Sequence, residues 1–323
     1  MKFNKGTIIG TIGIIVSIIL IIYLFKRFDF DKVVALIARV NIVYVILLVL
    51  IYASVFPLQA LRWKRMLINY SSISYNDLFK SIVISAVGCN ILPARGGELL
   101  RMEFINRKFT IARITLLSSI LIEKIFDGII LLFILFVCTY FIDESLQSGW
   151  IKNLIVVINL TFLFTISILL SVRVFGKKII SYFTSPAKWS LMIKNSISKI
   201  YSAIEFISWD LNFFYILLLS TCIWFLEGLM FVIALQAFGI DVNPFLAGFF
   251  ALCIVNFGTV IPSSPGFIGV FQGFTLIALS IFDITQNKSL AVGLLINFIQ
   301  YLTVMLLGLY ILKDFKKLKI LKK

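Results

Sequence analysis

Long apolar runs alternate along the chain with short polar stretches that are rich in lysine and arginine. Each run approaches the roughly 20 residues that an α-helix needs to cross the hydrocarbon core of a bilayer. The pattern therefore predicts an all-α polytopic membrane protein with six full transmembrane helices. They are placed at about 7–25, 41–61, 114–142, 153–174, 211–235 and 290–312.

Two further apolar segments, 79–107 and 245–283, are interrupted and do not read as simple crossings. Each approaches a proline through small and apolar residues and resumes after a glycine. The first reads AVGCNILPARGGELLR at 86–101, and the second reads VNFGTVIPSSPGFIGV at 255–270. Unpaired backbone is costly in lipid, so a break of this kind persists only where it is buried or lines a wet cavity.

The two interruptions follow one pattern. Pro93 and Pro262 lie 169 positions apart, and superposing them aligns Gly97 with Gly266. Paired broken segments in the two halves of a hydrophobic chain are typical of transport sites. We therefore predict two re-entrant broken helices whose tips meet near the midplane of an inverted repeat. The alternative is two ordinary proline-kinked spans in a helical bundle.

The distribution of basic residues predicts the orientation of the chain in the membrane. With both termini cytoplasmic, 23 of the 30 lysines and arginines lie inside, as the positive-inside rule requires. We expect a multi-pass protein of the cell membrane, with the lysine-rich C-terminus on the anionic inner surface. The predicted units are a first membrane half at 1–175, a cytoplasmic amphipathic linker at 176–210 and a second membrane half at 211–323.

Composition narrows the function classes. Hydrophobic residues make up 61% of the chain and charged residues 14%, which is outside the range of soluble domains. The net charge of +15 does not indicate a nucleic-acid partner, because the basic residues lie between apolar runs. The chain has no histidine, and its four cysteines lie in apolar runs without metal-ligand spacing. We therefore expect no cofactor, no metal site and no catalytic residue.

Ionisable residues inside the apolar segments are the candidate site, since charge at membrane depth is costly and marks pathways. The predicted substrate-binding and translocation residues are Arg95, Gly96, Gly97, Glu98, Arg101, Glu123, Lys124, Asp127, Glu227, Ser263, Ser264 and Gly266. Pro93, Pro262 and Pro265 are the predicted helix breakers. The alternatives are that these charges form internal ion pairs that hold helices together, or that 95–103 is an ordinary interfacial loop on the cytoplasmic side.

The chemistry of the two breaks suggests an amphiphile. Arg95 and Arg101 lie beside the N–H groups of a Gly-Gly helix start, and both features suit phosphate. The second break carries Ser263 and Ser264, followed by phenylalanines. A headgroup in the polar site with its tails alongside in lipid fits both halves, so a phospholipid is the predicted substrate, with membrane lipids around it.

Four motifs carry a family resemblance that covers essentially the whole chain. They are QALRW at 59–63, ILPARGGELLRMEFI at 91–105, IEKIFDG at 122–128 and IPSSPGFIGVFQGF at 261–274. In this order they resemble the transmembrane region of the lysylphosphatidylglycerol synthase family, which also occurs as free-standing UPF0104 membrane proteins. The sequence departs from that pattern at Lys124, where an arginine is usual, and at Gln272, where an acid is frequent.

The resemblance implies the flippase half of these proteins, which moves aminoacylated phosphatidylglycerol between leaflets. It also implies a homodimer and a separate lipid-synthase partner. No counterpart of the soluble synthase domain occurs before Lys323, so we expect no synthase activity. The predicted function is a flippase for an anionic or aminoacylated phospholipid. The alternatives are a membrane-embedded transferase and an accessory subunit in lipid or lipid-linked glycan synthesis.

Overall fold

The structure is a computed structural model that describes residues 30–68, 70, 72–92, 96–142, 149–182, 211–260 and 264–317. All regular structure in these ranges is helical, which confirms the all-α class. Several predicted features lie outside the described residues: the span at 7–25, most of the linker, the last six residues, and Pro93, Arg95, Pro262 and Ser263.

Ten α-helices follow one another through the described ranges. They are α1 (Phe30–Ala38), α2 (Ile42–Met66), α3 (Tyr75–Ile91), α4 (Gly97–Phe109), α5 (Arg113–Tyr140), α6 (Gly149–Tyr182), α7 (Leu211–Ala237), α8 (Pro244–Gly258), α9 (Val270–Ser280) and α10 (Gln286–Lys317). A 3₁₀ turn at Pro265–Phe267 lies between α8 and α9. Asn41, Ser74 and Asn243 begin α2, α3 and α8 by accepting backbone N–H groups, as N-cap side chains do.

Three of the described helices are long and apolar enough to cross a membrane: α2, α7 and the part of α10 from Gln286 to Ile311. Helix α5 covers the predicted span 114–142 but carries three charged residues near its middle. Helix α6 continues to Tyr182, and the predicted linker at 176–210 stays a prediction. The count of six crossings and the inverted relation of the two halves stay predictions.

The first break is a helical hairpin. Helix α3 ends at Ile91, and Leu92 is extended (φ −96°, ψ 140°), which is the conformation that a residue before proline prefers. Helix α4 begins at Gly97 and packs back along α3. Segment 79–107 therefore turns back on itself and is not a kinked continuous span.

The second break is also a hairpin, since α8 and α9 pack against each other. Gly266 and Gly269 have φ of +71° and +87°, a region that glycine enters without steric strain. The sequence pattern places the helix restart directly after Gly266. The structure places it at Val270, because the 3₁₀ turn intervenes.

Amide side chains hold the second hairpin in place. The Gly269 N–H donates to Gln272 Oε1 at 2.7 Å, and Gln272 Nε2 donates to Asn297 Oδ1 at 3.2 Å. Asn297 Nδ2 in turn donates to the Gly266 carbonyl at 3.0 Å. Gln272, which departs from the family pattern, therefore ties the start of α9 to α10.

The hairpin tips meet, since α3 contacts the 3₁₀ turn of the second break. Helix α2 packs along α7, and α10 contacts α1, α2 and α3. These contacts cross the boundary between the predicted halves and enclose the space between them.

Close packing of α4 on α3 leaves no room for a side chain at Gly97. A Cβ added there would overlap the Ser85 carbonyl oxygen and lie 2.5 Å from the Cys89 amide nitrogen. We expect Gly97→Ala to destabilise the protein by about 1–3 kcal/mol, as overpacking does. Thermal unfolding in detergent measures the effect.

Gly128→Ala is the matched control, because a Cβ at this position of α5 meets nothing within 4 Å. It should leave the unfolding temperature unchanged or raise it slightly, since alanine favours helix over glycine. Equal unfolding temperatures for the two variants would contradict the hairpin packing.

Candidate functional site

A cavity of about 230 Å³ lies between the first hairpin, α2, α5 and α7. Its described lining includes seven charged residues: Arg62, Glu98, Arg101, Glu123, Lys124, Asp127 and Glu227. Apolar and aromatic side chains, among them Phe56, Ile82 and Phe231, complete the wall. Charges inside a membrane protein usually pair with one another or face a water-filled space, and six of the seven described charged residues here form pairs.

A continuous chain of buried ion pairs forms one wall. Arg101 donates from both terminal nitrogens to Glu123, each at 3.2 Å. Arg62 Nη2 lies 3.2 Å from the same carboxylate, and its Nη1 lies 2.6 Å from Asp127. All four residues are at most 8% exposed. Glu123 thus bridges two arginines from different helices, and Asp127 completes the neutralisation.

Helix α7 supports the Arg62–Asp127 pair. Arg62 Nη1 also donates to Ser220 Oγ at 3.0 Å, and Trp224 Nε1 donates to Asp127 Oδ1 at 3.0 Å. A buried charge pair is tolerated only when its remaining donors and acceptors are satisfied. These two hydrogen bonds contribute to that requirement and fix α7 against α2 and α5.

The Trp63 ring packs against the Arg101 guanidinium. The Arg101 guanidinium carbon lies 4.9 Å from the centroid of the Trp63 ring, within the range of a cation–π contact. The indole nitrogen of Trp63 donates to Ser119 Oγ at 2.9 Å, which holds the ring in this orientation. The guanidinium is therefore fixed by both a carboxylate and an aromatic face.

The remaining charges are less buried within the protein. Lys124 Nζ lies 3.0 Å from Glu98 Oε1, and these side chains are 40% and 25% exposed. Glu227 on α7 is half-buried, and among the described residues its carboxylate has no ion pair or hydrogen bond. The described lining therefore holds three cations and four acids, with one acid in excess.

Six predicted site residues line this one cavity: Glu98, Arg101, Glu123, Lys124, Asp127 and Glu227. Glu98 and Arg101, three apart on α4, each pair with a residue of α5. The ion-pair interpretation thus applies to Glu98, Glu123 and Asp127 but not to Glu227. What the cavity can bind depends on whether these ion pairs open or stay intact.

The other predicted residues have structural places. Gly96 precedes α4 as its N-cap, and Gly97 packs beneath α3. Ser264 Oγ donates to the Ile268 carbonyl at 3.1 Å, so this residue stabilises the second break. Pro265 opens the 3₁₀ turn. In the described lining, the second break contributes Thr259 and Phe267 instead of Ser264 and Gly266.

Arg62 is the charged residue of the described cavity lining that the sequence interpretation missed. The predicted span ended at residue 61, which left Arg62 in a cytoplasmic loop. Helix α2 instead continues to Met66, and Arg62 is 1% exposed. One signal was available, since Tyr52, Gln59 and Arg62 are spaced seven and three residues apart and share a helix face.

Polar residues missed by the charge argument also line the cavity: Tyr52, Gln59, Asn256 and Gln300. Within the described ranges, no group of histidine, cysteine or acidic residues is placed to hold a metal ion. The arrangement is suited to binding a polar group reversibly, since it offers both exchangeable ion pairs and neutral hydrogen-bonding side chains.

Comparison with known proteins gives two relatives. The UPF0104 membrane protein MJ1595 of Methanocaldococcus jannaschii is 23% identical over 328 residues, covering 95% of this chain and 94% of that protein. Glycosyltransferase AglD of Haloferax volcanii is 21% identical over 321 residues, covering 88% of this chain. The chain matches only 50% of the length of AglD. No solved structure gives a significant match.

A family match covers most of the sequence. Residues 10–308 match the family described as the lysylphosphatidylglycerol synthase TM region. Both this match and the full-length similarity to a UPF0104 protein confirm the resemblance inferred from the four motifs. The chain is therefore a membrane protein that belongs to the family of the lysylphosphatidylglycerol synthase TM region.

Proposed function

We propose that this protein is a lipid transporter that moves an anionic or aminoacylated phospholipid between membrane leaflets. The observation that carries the proposal is the charged cavity between two broken helical segments of a membrane protein. A lipid headgroup crosses the hydrocarbon core only if polar groups replace its water. The cavity supplies such groups, while the acyl chains remain in the surrounding lipid.

The arginines bind a headgroup phosphate by exchange. Both terminal nitrogens of Arg101 are occupied by Glu123, so a phosphate competes with this carboxylate for the same guanidinium. Phosphate and carboxylate both accept paired hydrogen bonds from arginine, so the exchange preserves the geometry. Glu123 stays neutralised meanwhile, because Arg62 also contacts it.

Between the two headgroup classes, the described charges favour the aminoacylated one. Among the described lining residues one acid is in excess, Glu227, and an ammonium group would neutralise it. A headgroup with both phosphate and ammonium then satisfies Arg101 and Glu227 together. A purely anionic headgroup leaves Glu227 without a partner cation.

The second candidate is a transferase, or an accessory subunit, acting on lipids or lipid-linked glycans. The similarity to glycosyltransferase AglD over half of that protein favours it. The two functions differ in their products. A transporter changes the leaflet and leaves the lipid chemically intact, whereas a transferase creates a new lipid species that thin-layer chromatography separates.

The transport function predicts a specific loss at Arg101. In vesicles containing lysyl-phosphatidylglycerol, an amine reagent that does not cross the membrane reports lipid in the outer leaflet. Arg101→Gln removes a charge-assisted contact of about 1.5–3 kcal/mol, so transport should slow roughly ten- to a hundredfold. Glu123 keeps Arg62 as a partner, so this variant should fold.

Arg107→Gln is the control for this measurement. Arg107 lies on the same helix, but it is largely exposed and pairs with Glu103 at 2.7 Å outside the cavity lining. Its transport rate should match the wild type. Wild-type transport by a folded Arg101→Gln variant would place the headgroup site elsewhere.

Breaking a buried ion pair should lower the free energy of unfolding more than breaking an exposed one. Glu123→Gln removes the carboxylate that neutralises Arg101 and leaves this buried cation without its acidic partner, while Arg62 keeps Asp127. We expect a loss of about 3–5 kcal/mol in the free energy of unfolding. Glu98→Gln breaks only the partly exposed pair with Lys124, so it should cost less than about 1 kcal/mol.

Denaturant titration of the two purified variants in detergent tests this ranking. A Glu123→Gln protein as stable as Glu98→Gln would show that the buried chain does not hold the helices together.

A further inference from the structure

Glu227 differs from the other six charged residues of the described cavity lining. The other six each have an opposite charge within 3.2 Å. Glu227 lines the same space, yet among the described residues no cation or hydrogen-bond donor contacts its carboxylate. An ionised carboxylate at this depth is unfavourable without a partner, so it is stabilised by binding either a proton or a cation.

The groups that face Glu227 do not supply that cation. Helix α2 contributes Tyr52 and Arg62, and the arginine is already held by Asp127 and Glu123. Helix α5 contributes Lys124, which pairs with Glu98.

The other helices packed against α7 add only neutral or already paired groups. The lining residues Asn256 of α8 and Gln300 of α10 are neutral. The described residues of the first hairpin add Cys89 and the paired Glu98 and Arg101 to the titratable and charged lining. Asp127 of α5, itself paired with Arg62, adds further negative charge to the same cavity.

We infer that Glu227 is a proton-exchange site: it releases a proton when the cationic group of the headgroup binds and takes one up when that group leaves. The inference rests on the proposed lipid transport. Each transport cycle then returns one proton in the direction opposite to the lipid. For lysyl-phosphatidylglycerol, which carries one net positive charge, the exchange is electroneutral.

The protonation of Glu227 affects the step in which the protein returns without a bound lipid. After the headgroup leaves, the empty protein must return to its starting conformation. An unpaired, ionised Glu227 carboxylate makes that step unfavourable. A bound proton neutralises the carboxylate. The paired acids need no proton, since their arginine and lysine partners move with them.

The experiment uses the full chain in vesicles of phosphatidylglycerol with lysyl-phosphatidylglycerol, with leaflet distribution read by the impermeant amine reagent. With an acidic exterior, lysyl-phosphatidylglycerol should accumulate in the outer leaflet, approaching a roughly tenfold ratio per pH unit at one-to-one exchange. Reversing the gradient should reverse the asymmetry, and a protonophore should abolish it. A membrane potential imposed without a pH gradient should leave the distribution unchanged.

Three variants assign the effect to this residue. Glu227→Gln should lose gradient-driven accumulation, whereas Glu227→Asp, which keeps a titratable carboxylate, should retain it. Glu103→Gln is the control, because Glu103 pairs with Arg107 and Arg113 outside the cavity lining and should leave the accumulation at the wild-type value. Monodisperse elution of each variant confirms folding.

The outcomes separate the two claims. A wild type that equilibrates the lipid but ignores the pH gradient overturns proton exchange and leaves lipid transport standing. Gradient-driven accumulation by folded Glu227→Gln also overturns the assignment. A wild type that moves lipid no faster than protein-free vesicles overturns lipid transport itself, and the exchange with it.

Discussion

The carboxylate of Glu123, shared between Arg101 and Arg62, is the interaction on which the interior of this protein depends. None of these charges is tolerable alone in a space shielded from water. Their helices, α4, α2 and α5, are therefore obliged to meet at one point. Asp127 extends the same constraint to α7 through its hydrogen bond with Trp224.

The two hairpins place residues at the cavity that continuous helices would not place there. A helix crossing the membrane satisfies all its backbone groups and offers only side chains to a substrate. Here α3 stops and α4 returns beside it, which brings Arg101 next to α5. The second hairpin closes the other side with Thr259 and Phe267. The first break thus brings Glu98 and Arg101 to the cavity, and the second break contributes uncharged lining among the described residues.

The contrast between paired and unpaired charge gives the cavity two kinds of site. The arginines are held in place by carboxylates, and in the proposed transport a headgroup phosphate replaces one of them. Glu227 has no such partner among the described residues, and in the proposed transport it pairs with the cationic group of the headgroup. The proposed headgroup therefore carries both a phosphate and an ammonium group.

Local chemistry explains what could be predicted from the sequence. Proline and glycine act within a few residues, so both breaks and the extended Leu92 follow from the chain itself. Charges inside apolar runs are equally visible, and six of the cavity residues were found in this way. The later restart at Val270 was missed, because the 3₁₀ turn is stabilised by Asn297 from a distant helix.

Tertiary pairing explains what could not be predicted. The sequence interpretation ended the predicted span before its first charged residue and therefore excluded Arg62. The structure buries Arg62, because Asp127 and Glu123 pair with it. Which acid meets which arginine depends on how α2, α4 and α5 cross, and no spacing in the sequence encodes that crossing.

Occupation of the cavity by a headgroup is the central claim, and Cys89 on the cavity wall offers a direct measurement. In vesicles, the rate of modification by a small water-soluble thiol reagent is taken as the difference between wild type and Cys89→Ala. The account predicts measurable modification of Cys89 that slows as lysyl-phosphatidylglycerol is added, but not as a neutral diacylglycerol is added. Modification that is unchanged by the lysyl lipid would contradict a headgroup site in this cavity.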